Sequence, residues 1–373
     1  MSQKEVKVVL TGGHAGATAY ALIQEIKKHK KDYHIYWIGA KYAIEGAKLT
    51  TFEYNVFPSI GVKYYPITTG RIQRKFTFWT IPSIFKIPIG FIHALLLLIK
   101  IRPKVILSFG GYASFPVVVM GWILRIPVII HEQTMVFGRA NKYSSFFANK
   151  IALARNESLK YFPHQKCVVV GNPISVEINN VKPKKEIGNP PTIFIIGGSR
   201  GSQAINDLVE DILSKLLEKY YVIHQTGALE YKKFKDIKLG LSSKLNSRYE
   251  VHDFIFPHKW YKFIARADLI ISRAGANIVS EVIISKRPAI FIPLPITFMD
   301  EQTKNAEYVA KLGFAKVLNQ RDLTPDTLFR EIEERFLNWN EMVKKASNIE
   351  SPDKNASEKL LKMIEEEIKN SEN

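Results

Sequence analysis

The sequence predicts an α/β protein built as two doubly wound, parallel-sheet domains, and three observations point there. Short apolar runs alternate with helical patterns almost throughout, as expected of parallel sheets covered on both faces. Two units look alike, each a strand, a glycine turn and a helix, and each opens its half of the chain. At 373 residues the chain is too long for one ordinary domain and suits two. Hydrophobic residues at 46% and charged residues at 24% exclude wholesale disorder. The single cysteine, Cys167, excludes a disulfide framework and a cysteine-based metal cage.

The chain enters its first strand, Val6 to Leu10, almost at once. No apolar core with a small-residue cleavage site precedes it, so a signal peptide is not expected and a cytoplasmic setting is. The turn Thr11-Gly12-Gly13-His14-Ala15-Gly16 follows, then a helix from about Ala17 to Lys28 and a strand at His34 to Ile38. Beyond Glu53 there is no acidic residue before Glu132, while Lys63, Arg71, Arg74, Lys75, Lys86, Lys100, Arg102, Lys104 and Arg125 all fall there. This zone carries much of the net charge of +18. Such a field attracts nucleic acid, anionic headgroups or pyrophosphate-bearing substrates. Nucleic acid is the weakest of these partners, since no helix-turn-helix, zinc-finger or RNP signature is present.

The same zone is greasy. An uncharged run of 13 residues, Ile87 to Ile99, falls short of the roughly 20 that a spanning helix needs, so a transmembrane helix is not expected. Leu95 to Ile99 reads equally well as a core helix or as part of an interfacial patch. For the segment before it, the patch is favoured: Phe76, Phe78, Trp79, Ile81, Ile84 and Phe85 would enter a headgroup zone. Arg71, Arg74, Lys75 and Lys86 would then bind lipid phosphates.

A strand at Val105 to Leu107 leads into Ser108-Phe109-Gly110-Gly111-Tyr112-Ala113-Ser114. The segment Val181 to Pro191, rich in Pro, Gly and Lys, reads as an interdomain linker. The second half repeats the opening theme. Strand Thr192 to Ile196 is followed by Gly197-Gly198-Ser199-Arg200-Gly201 and a helix from about Ser202 to Lys219. Later, Asp268 to Ile271 precedes Ser272-Arg273-Ala274-Gly275-Ala276-Asn277, which opens a helix bearing Ser280 and Glu281. A strand at Pro288 to Pro293 and a helix beginning near Asp300 to Ala306 come next, and a charged amphipathic helix, Glu358 to Lys369, closes the chain. The expected boundaries are 1–175 for an acceptor and membrane-binding domain and 176–349 for a donor domain, with 350–373 packing back on the first.

A glycine turn at the carboxyl end of a strand lets main-chain N–H groups and a helix N-terminus face an anion. Four such turns in two similar domains point to phosphate sites. Nicotinamide binding is disfavoured, because the first turn is G-G-x-x-G and the second strand ends in Gly39 where a ribose-binding acid should stand. No Walker P-loop and no Asp-x-Asp pair occurs, so neither metal nor cofactor is expected. Diphosphate charge would be met by helix ends and basic side chains. Glu281, behind its glycine turn, could accept both hydroxyls of a ribose. Gln302 and Asn305 could read sugar hydroxyls.

Taken together, the motifs resemble the MurG family. They are Gly12-Gly13, Gly110-Gly111-Tyr112-Ala113-Ser114, Ile126 to Gln133, Gly171-Asn172-Pro173, Gly197-Gly198-Ser199, His224-Gln225-Thr226-Gly227, Arg273 to Glu281 and Asp300 to Ala306. The resemblance spans essentially the whole chain. It implies a GT-B fold, two Rossmann-like domains with a cleft between them, and an inverting, metal-independent transfer of N-acetylglucosamine from UDP-N-acetylglucosamine to a polyprenyl-pyrophosphate-linked muramyl acceptor. It implies a peripheral enzyme at the cytoplasmic face of an anionic membrane. By resemblance, Ile255 contacts the uracil through its backbone and Glu281 holds the ribose. Ser199, Gly275 and Ala276 cradle the diphosphate, Gln302 meets the sugar, and Thr134, Arg273, Asn277, Ile278, Ser280 and Asn305 line the donor site. Gly12, Gly13, Gly16, Gly110, Gly111 and Tyr112 face the acceptor pyrophosphate, and His14 is the candidate for proton transfer.

The chain departs from the family pattern in several places. His14 stands three positions early if the first two glycines are aligned, whereas aligning Thr11-Gly12-Gly13-His14 with the family's T-G-G-H keeps the histidine but shifts the loop against its strand. Thr134 replaces an asparagine, Ser175 replaces a residue that is often basic, and the connection from Pro293 to Asp300 is long. Other readings that share the architecture are a related GT-B enzyme with another lipid-linked acceptor, a UDP-sugar epimerase, which needs no lipid, and a non-catalytic membrane-associated binding protein derived from a transferase.

Overall fold

A computed structural model describes residues 5–13, 15–30, 32–42, 50–70, 80–198 and 201–372, apart from the side chains of Thr80 and Pro82. His14, Ser199, Arg71, Arg74, Lys75, Phe76, Phe78 and Trp79, all given roles above, lie outside the described residues. The chain divides into two units, Met1–Val176 with Asn355–Asn373, and Glu177–Lys354.

Unit 1 holds one sheet of seven strands: β1 (Val6–Gly12), β2 (Tyr33–Gly39), β3 (Lys63–Pro66), β4 (Val105–Ser108), β5 (Val128–Glu132), β6 (Lys150–Leu153) and β7 (Cys167–Val169). Their order is β3-β2-β1-β4-β5-β6-β7. Every pairing is parallel. β-Branched and aliphatic residues fill β1 and β4 because both sheet faces are covered. Side chains alternate between those faces. Val8 and Leu10 pack against Leu22, Ile23 and Ile26 of helix Gly16–His29 and against Leu360 and Ile364 of helix Ala356–Glu372. Val9 and Ile106 point the other way, onto Leu98 and Ile101 of helix Thr80–Ile101 and Val117 of helix Ser114–Ile123.

The C-terminal helix is held by its apolar stripe. Each buried Leu or Ile contributes about 1.5–3 kcal/mol, whereas its half-exposed Lys30–Glu365 ion pair of 2.6 Å contributes about 0–1 kcal/mol. Packing wins.

Helix Thr80–Ile101 corrects one expectation and divides another. It runs for 22 residues with Pro88 inside. Its segment Ser83–Ile101 is long and apolar enough to cross a membrane by length and composition, so the shortness argument fails. Packing is the better discriminator. Ser83, Gly90, Ala94, Leu97, Leu98 and Ile101 are buried in unit 1. Ile81, Ile84, Phe85, Ile89, Ile92, Leu96 and Ile99 are exposed, from 49% at Ile99 to 72% at Phe85. The run Leu95 to Ile99 is therefore neither wholly core nor wholly surface. Leu97 and Leu98 turn inward, Leu96 and Ile99 outward.

Unit 2 repeats the plan with β8 (Thr192–Ile196), β9 (Tyr221–Gln225), β10 (Tyr249–His252), β11 (Leu269–Ser272), β12 (Ala289–Phe291) and β13 (Ala315–Val317). Their order is β10-β9-β8-β11-β12-β13, again all parallel. The segment 181–191, expected as a linker, is fastened to this unit. Asp268, fully buried at the start of β11, accepts hydrogen bonds from Lys184 Nζ (2.6 Å), Thr192 N (2.7 Å) and Gly188 N (3.3 Å).

In both sheets the strand order reverses at one place, between β1 and β4 and between β8 and β11. Open α/β sheets bind ligands outside the carboxyl ends of the strands at this switch point. The four glycine turns follow those four strands, one pair to each sheet.

Candidate functional site

In unit 1 the two turns touch. Gly13 N donates to Gly110 O at 2.9 Å, and Ser108 Oγ accepts from Gly110 N at 3.1 Å. Gly111 has φ +93°, and a β-carbon there would stand 2.8 Å from Gly13 N. Only glycine permits this approach. Tyr112 lines a small pocket with Gly12, Gly13 and Trp37. Gly16, expected at the pyrophosphate, is buried at the helix start, where any β-carbon would overlap the Phe52 ring. Its missing side chain serves packing.

The carboxyl end of β5 organises the next loop. Buried Glu132 accepts from Gly138 N (2.8 Å), Asn141 Nδ2 (3.0 Å), and both N (3.3 Å) and Oγ1 (3.1 Å) of Thr134. Burial raises its pKa and these donors oppose the rise. Thr134, expected at the donor sugar, therefore has its hydroxyl turned toward Glu132 and the Val136 carbonyl.

Unit 2 carries the more complete constellation. A β-carbon built on Gly198 or Gly275 would have no protein atom within 4 Å among the described residues, so both turns border open space. Gly201 (φ +78°) lies against the Thr226 carbonyl, where a β-carbon would overlap. Gln225 Nε2 donates to Gly198 O at 3.2 Å. His224 is fully buried between Tyr249 Oη and Asn206 Oδ1, each at 3.0 Å. Burial pushes its pKa down to about 3, so it is a neutral support for the glycine loop.

Arg273 braces that loop. Its Nε (3.1 Å) and Nη2 (2.7 Å) donate to Ser202 Oγ, and Nη1 donates to the carbonyls of Ile292 (2.9 Å) and Pro293 (3.3 Å). The guanidinium, expected at the donor, is buried and largely committed to protein partners. Asn305 Nδ2 similarly holds the Ala274 carbonyl at 3.2 Å.

Gly275 caps helix Ala276–Ser285 without a side-chain bond. The N–H groups that open any helix lack an intrahelical carbonyl, so the main chain at Gly275 and Ala276 has the geometry that suits an anion. Ser280 is fully buried. Glu281, one residue on, is buried with its Oε2 accepting from the Trp260 indole N–H at 2.8 Å. Burial pushes its pKa up to about 7, and the indole pulls in the other direction. Ile255 is buried just before helix Pro257–Arg266. Gln302 Oε1 accepts from Leu294 N at 3.1 Å, and the turn before it holds Met299 and Asp300 in the left-handed region, at φ +55° and +54°. Among the described residues, no group of three or more His, Cys, Asp or Glu side chains could hold a metal ion.

Comparison with known proteins gives this geometry a lineage. The glycosyltransferase family 28 N-terminal domain matches residues 8–153, and the C-terminal domain of the same family matches 192–362. A Bacillus cereus protein is 33% identical over 91% of this chain and 94% of its own length. One from Bacillus cytotoxicus is 30% identical over 98% of this chain and 100% of its own length. Both are named UDP-N-acetylglucosamine–N-acetylmuramyl-(pentapeptide) pyrophosphoryl-undecaprenol N-acetylglucosamine transferase, the first as transferase 2. The chain belongs to the MurG family.

The crystal structure of Acinetobacter baumannii MurG superposes with a TM-score of 0.69 at 25% identity, covering 97% of this chain and 99% of that one. The UDP-GlcNAc 2-epimerase from Neisseria meningitidis matches with a TM-score of 0.64 but at 14% identity, over 96% of this chain and 99% of its own. That likeness is one of fold alone, so the epimerase alternative has no support beyond architecture. Within the MurG family frame, two side chains beside the expected sites were not anticipated. Glu53, a buried carboxylate, lines the Gly12–Gly13 pocket. Its only sequence signal is that it is the last acid before the acid-free zone. Trp260 is the other. Its indole meets Glu281 from a neighbouring helix, and nothing in the local pattern announces the contact.

Proposed function

We propose that the chain transfers N-acetylglucosamine from UDP-N-acetylglucosamine to the muramyl sugar of a polyprenyl-pyrophosphate-linked peptidoglycan precursor. The observation that carries this is the switch point of unit 2, with open space above Gly198 and Gly275, a helix start without a side-chain cap for a diphosphate and the Glu281 carboxylate farther along the same helix for a ribose. The names of the relatives supply the sugar and the acceptor class. In this reading the main-chain amides at Gly275 to Ile278 take the charge that develops on the leaving diphosphate. Ser199 adds to the cradle, Ile255 meets the uracil through its backbone, and Gln302 meets the sugar. The acceptor hydroxyl attacks the anomeric carbon from the face opposite UDP. The new C–O bond forms as the bond to the diphosphate breaks, and His14 takes the hydroxyl proton. The paired turns of unit 1 hold the acceptor pyrophosphate. Purified protein given UDP-N-acetylglucosamine and the muramyl-pentapeptide lipid should release UDP in buffer containing EDTA. A folded sample that binds UDP yet turns over no lipid-linked acceptor would reject the reading.

The membrane is the second partner. The exposed stripe from Ile81 to Ile99 continues on the neighbouring helix at Trp122 and Ile123, both more than half exposed. Lys100, Arg102 and Arg125 stand exposed in the same acid-free zone. An apolar face accompanied by cations is suited to peripheral binding of an anionic bilayer, and in this reading the enzyme works at the cytoplasmic face. Phe85→Ser with Ile89→Ser and Ile92→Ser should reduce binding to phosphatidylglycerol vesicles at least tenfold, because each lost side chain removes about 1.5–3 kcal/mol of burial. UDP binding should be unchanged. Vesicle binding that survives the triple change would exclude this face as the contact.

A further inference from the structure

We propose that Trp260 is a positioning residue for the donor: its indole N–H fixes one oxygen of Glu281 so that the other is presented to the ribose. The inference rests on reading unit 2 as the donor site. An indole N–H only donates, and at 2.8 Å from Oε2 it occupies one side of the carboxylate. The other oxygen, Oε1, has no protein partner among the described residues. It can accept from vicinal hydroxyls.

The ring is itself held. Trp260 stands edge-on to Phe194 with centroids 5.4 Å apart, and Phe194 is fully buried in β8, the strand that ends in Gly197–Gly198. Pro257 starts the helix that carries Trp260 and pre-sets its first turn. One side chain thereby ties the ribose carboxylate to the strand beneath the phosphate turn. Its orientation is set before the donor arrives, which lowers the cost of ordering on binding.

Charge gives the contact a measurable signature. The neighbouring helices carry His258, Lys259, Lys262 and Arg266 on one side and Glu301, Lys304 and Glu307 on the other. None of them acts on Glu281, whose pKa of about 7 reflects burial opposed only by the indole. Removing the N–H should therefore raise the pKa further and leave more of the carboxyl protonated at neutral pH. A protonated carboxyl accepts ribose hydroxyls poorly.

The test is calorimetric binding of UDP-N-acetylglucosamine from pH 6 to 8.5. This ligand is preferable to UDP because its diphosphate has no proton that titrates near neutrality. Wild-type affinity should fall as the pH drops through about 7. For Trp260→Phe the inflection should move up by about one pH unit or more, with binding about tenfold weaker at pH 7 and recovering toward wild type at pH 8.5. In a Glu281→Ala background the same change should add nothing. If the phenylalanine variant does not fold, benzothienylalanine at position 260, with sulfur in place of N–H, carries the test. An unmoved inflection, or a loss equal at every pH, would show that the ring only fills space and overturn the proposal. Undiminished donor binding by Glu281→Ala would instead overturn the donor-site reading itself.

Discussion

Glu281→Gln should lose donor affinity and gain thermal stability at the same time. The loss follows from the role of the carboxylate. A hydrogen bond to a charged group is worth about 1.5–3 kcal/mol, so UDP-N-acetylglucosamine should bind roughly tenfold to a hundredfold more weakly at pH 8. The gain follows from burial. The Glu281 pKa rises from 4.5 to about 7 in the folded protein, so the native state binds more protons than the unfolded chain between those values. Stability conferred by the protonated form is complete below pH 4.5 and is lost as the pH rises through about 7. Above pH 7 the wild type carries a penalty on the order of 3 kcal/mol for an ionised carboxylate in a dry site. Glutamine removes the charge and keeps the shape. Melting curves of wild type and variant should therefore diverge as the pH rises from 5 to 8, with the variant more stable at the upper end. Coincident curves would mean that Glu281 is better solvated than its 8% exposure indicates, and equal donor affinity would remove it from the site.

Lost binding together with gained stability would mark a residue placed for a ligand rather than for the fold, and the sequence suggests only half of that arrangement. Glu281 stands out in the sequence because it follows a glycine turn in a strand–turn–helix unit, a local pattern. Its indole partner lies 21 positions away on another helix, and no spacing rule links them. The four turns were legible singly. Their grouping into two pairs depends on β4 crossing to lie beside β1 and β11 beside β8, which is a property of sheet order. The long apolar helix shows a different limit. With no polar residue to mark a solvent face, the period of Leu95 to Ile99 cannot say which side is core; contact with Val117 and Ile106 decides it. The family resemblance sets Arg273, Ser280 and Asn305 at the donor site, but a sequence motif does not distinguish a side chain that touches ligand from one that holds the loop. Here Arg273 and Asn305 hold carbonyls of the surrounding turns, and Ser280 is fully buried. The segment 181–191 has the composition of a linker, while the group that pins it to unit 2, Asp268, stands just before β11 some 80 positions later.

Asp268→Ala should be among the most destabilising single changes in unit 2. The carboxylate is fully buried and holds Lys184, Thr192 N and Gly188 N, while its charge also offsets that of Arg287, whose guanidinium is almost wholly buried and has its pKa lowered to about 10 by desolvation. Arg287 in turn donates to the carbonyls of Ile264, Ser285, Ala265 and Lys182, so the Asp268 and Arg287 side chains fasten the same incoming segment at two points. Removing the acid leaves two main-chain amides without their acceptor and two cations without their counter-charge. Breaking one partner out of a buried pair costs about 3–5 kcal/mol, a large share of the 5–15 kcal/mol that a domain commonly has. Asp268→Asn, which keeps an acceptor for Thr192 N, should cost less than alanine. Lys184→Met on its own strands the acid, but combined with Asp268→Leu it should recover part of the loss, because a buried ion pair exchanged whole for apolar groups is often neutral. Urea unfolding would measure the series, and amide exchange at Gly188 and Thr192 should accelerate first if the clamp is local. A cost below 1 kcal/mol for alanine would mean that the 181–191 segment is held by its other contacts instead, and that the charge at position 268 has little part in fixing where unit 2 begins.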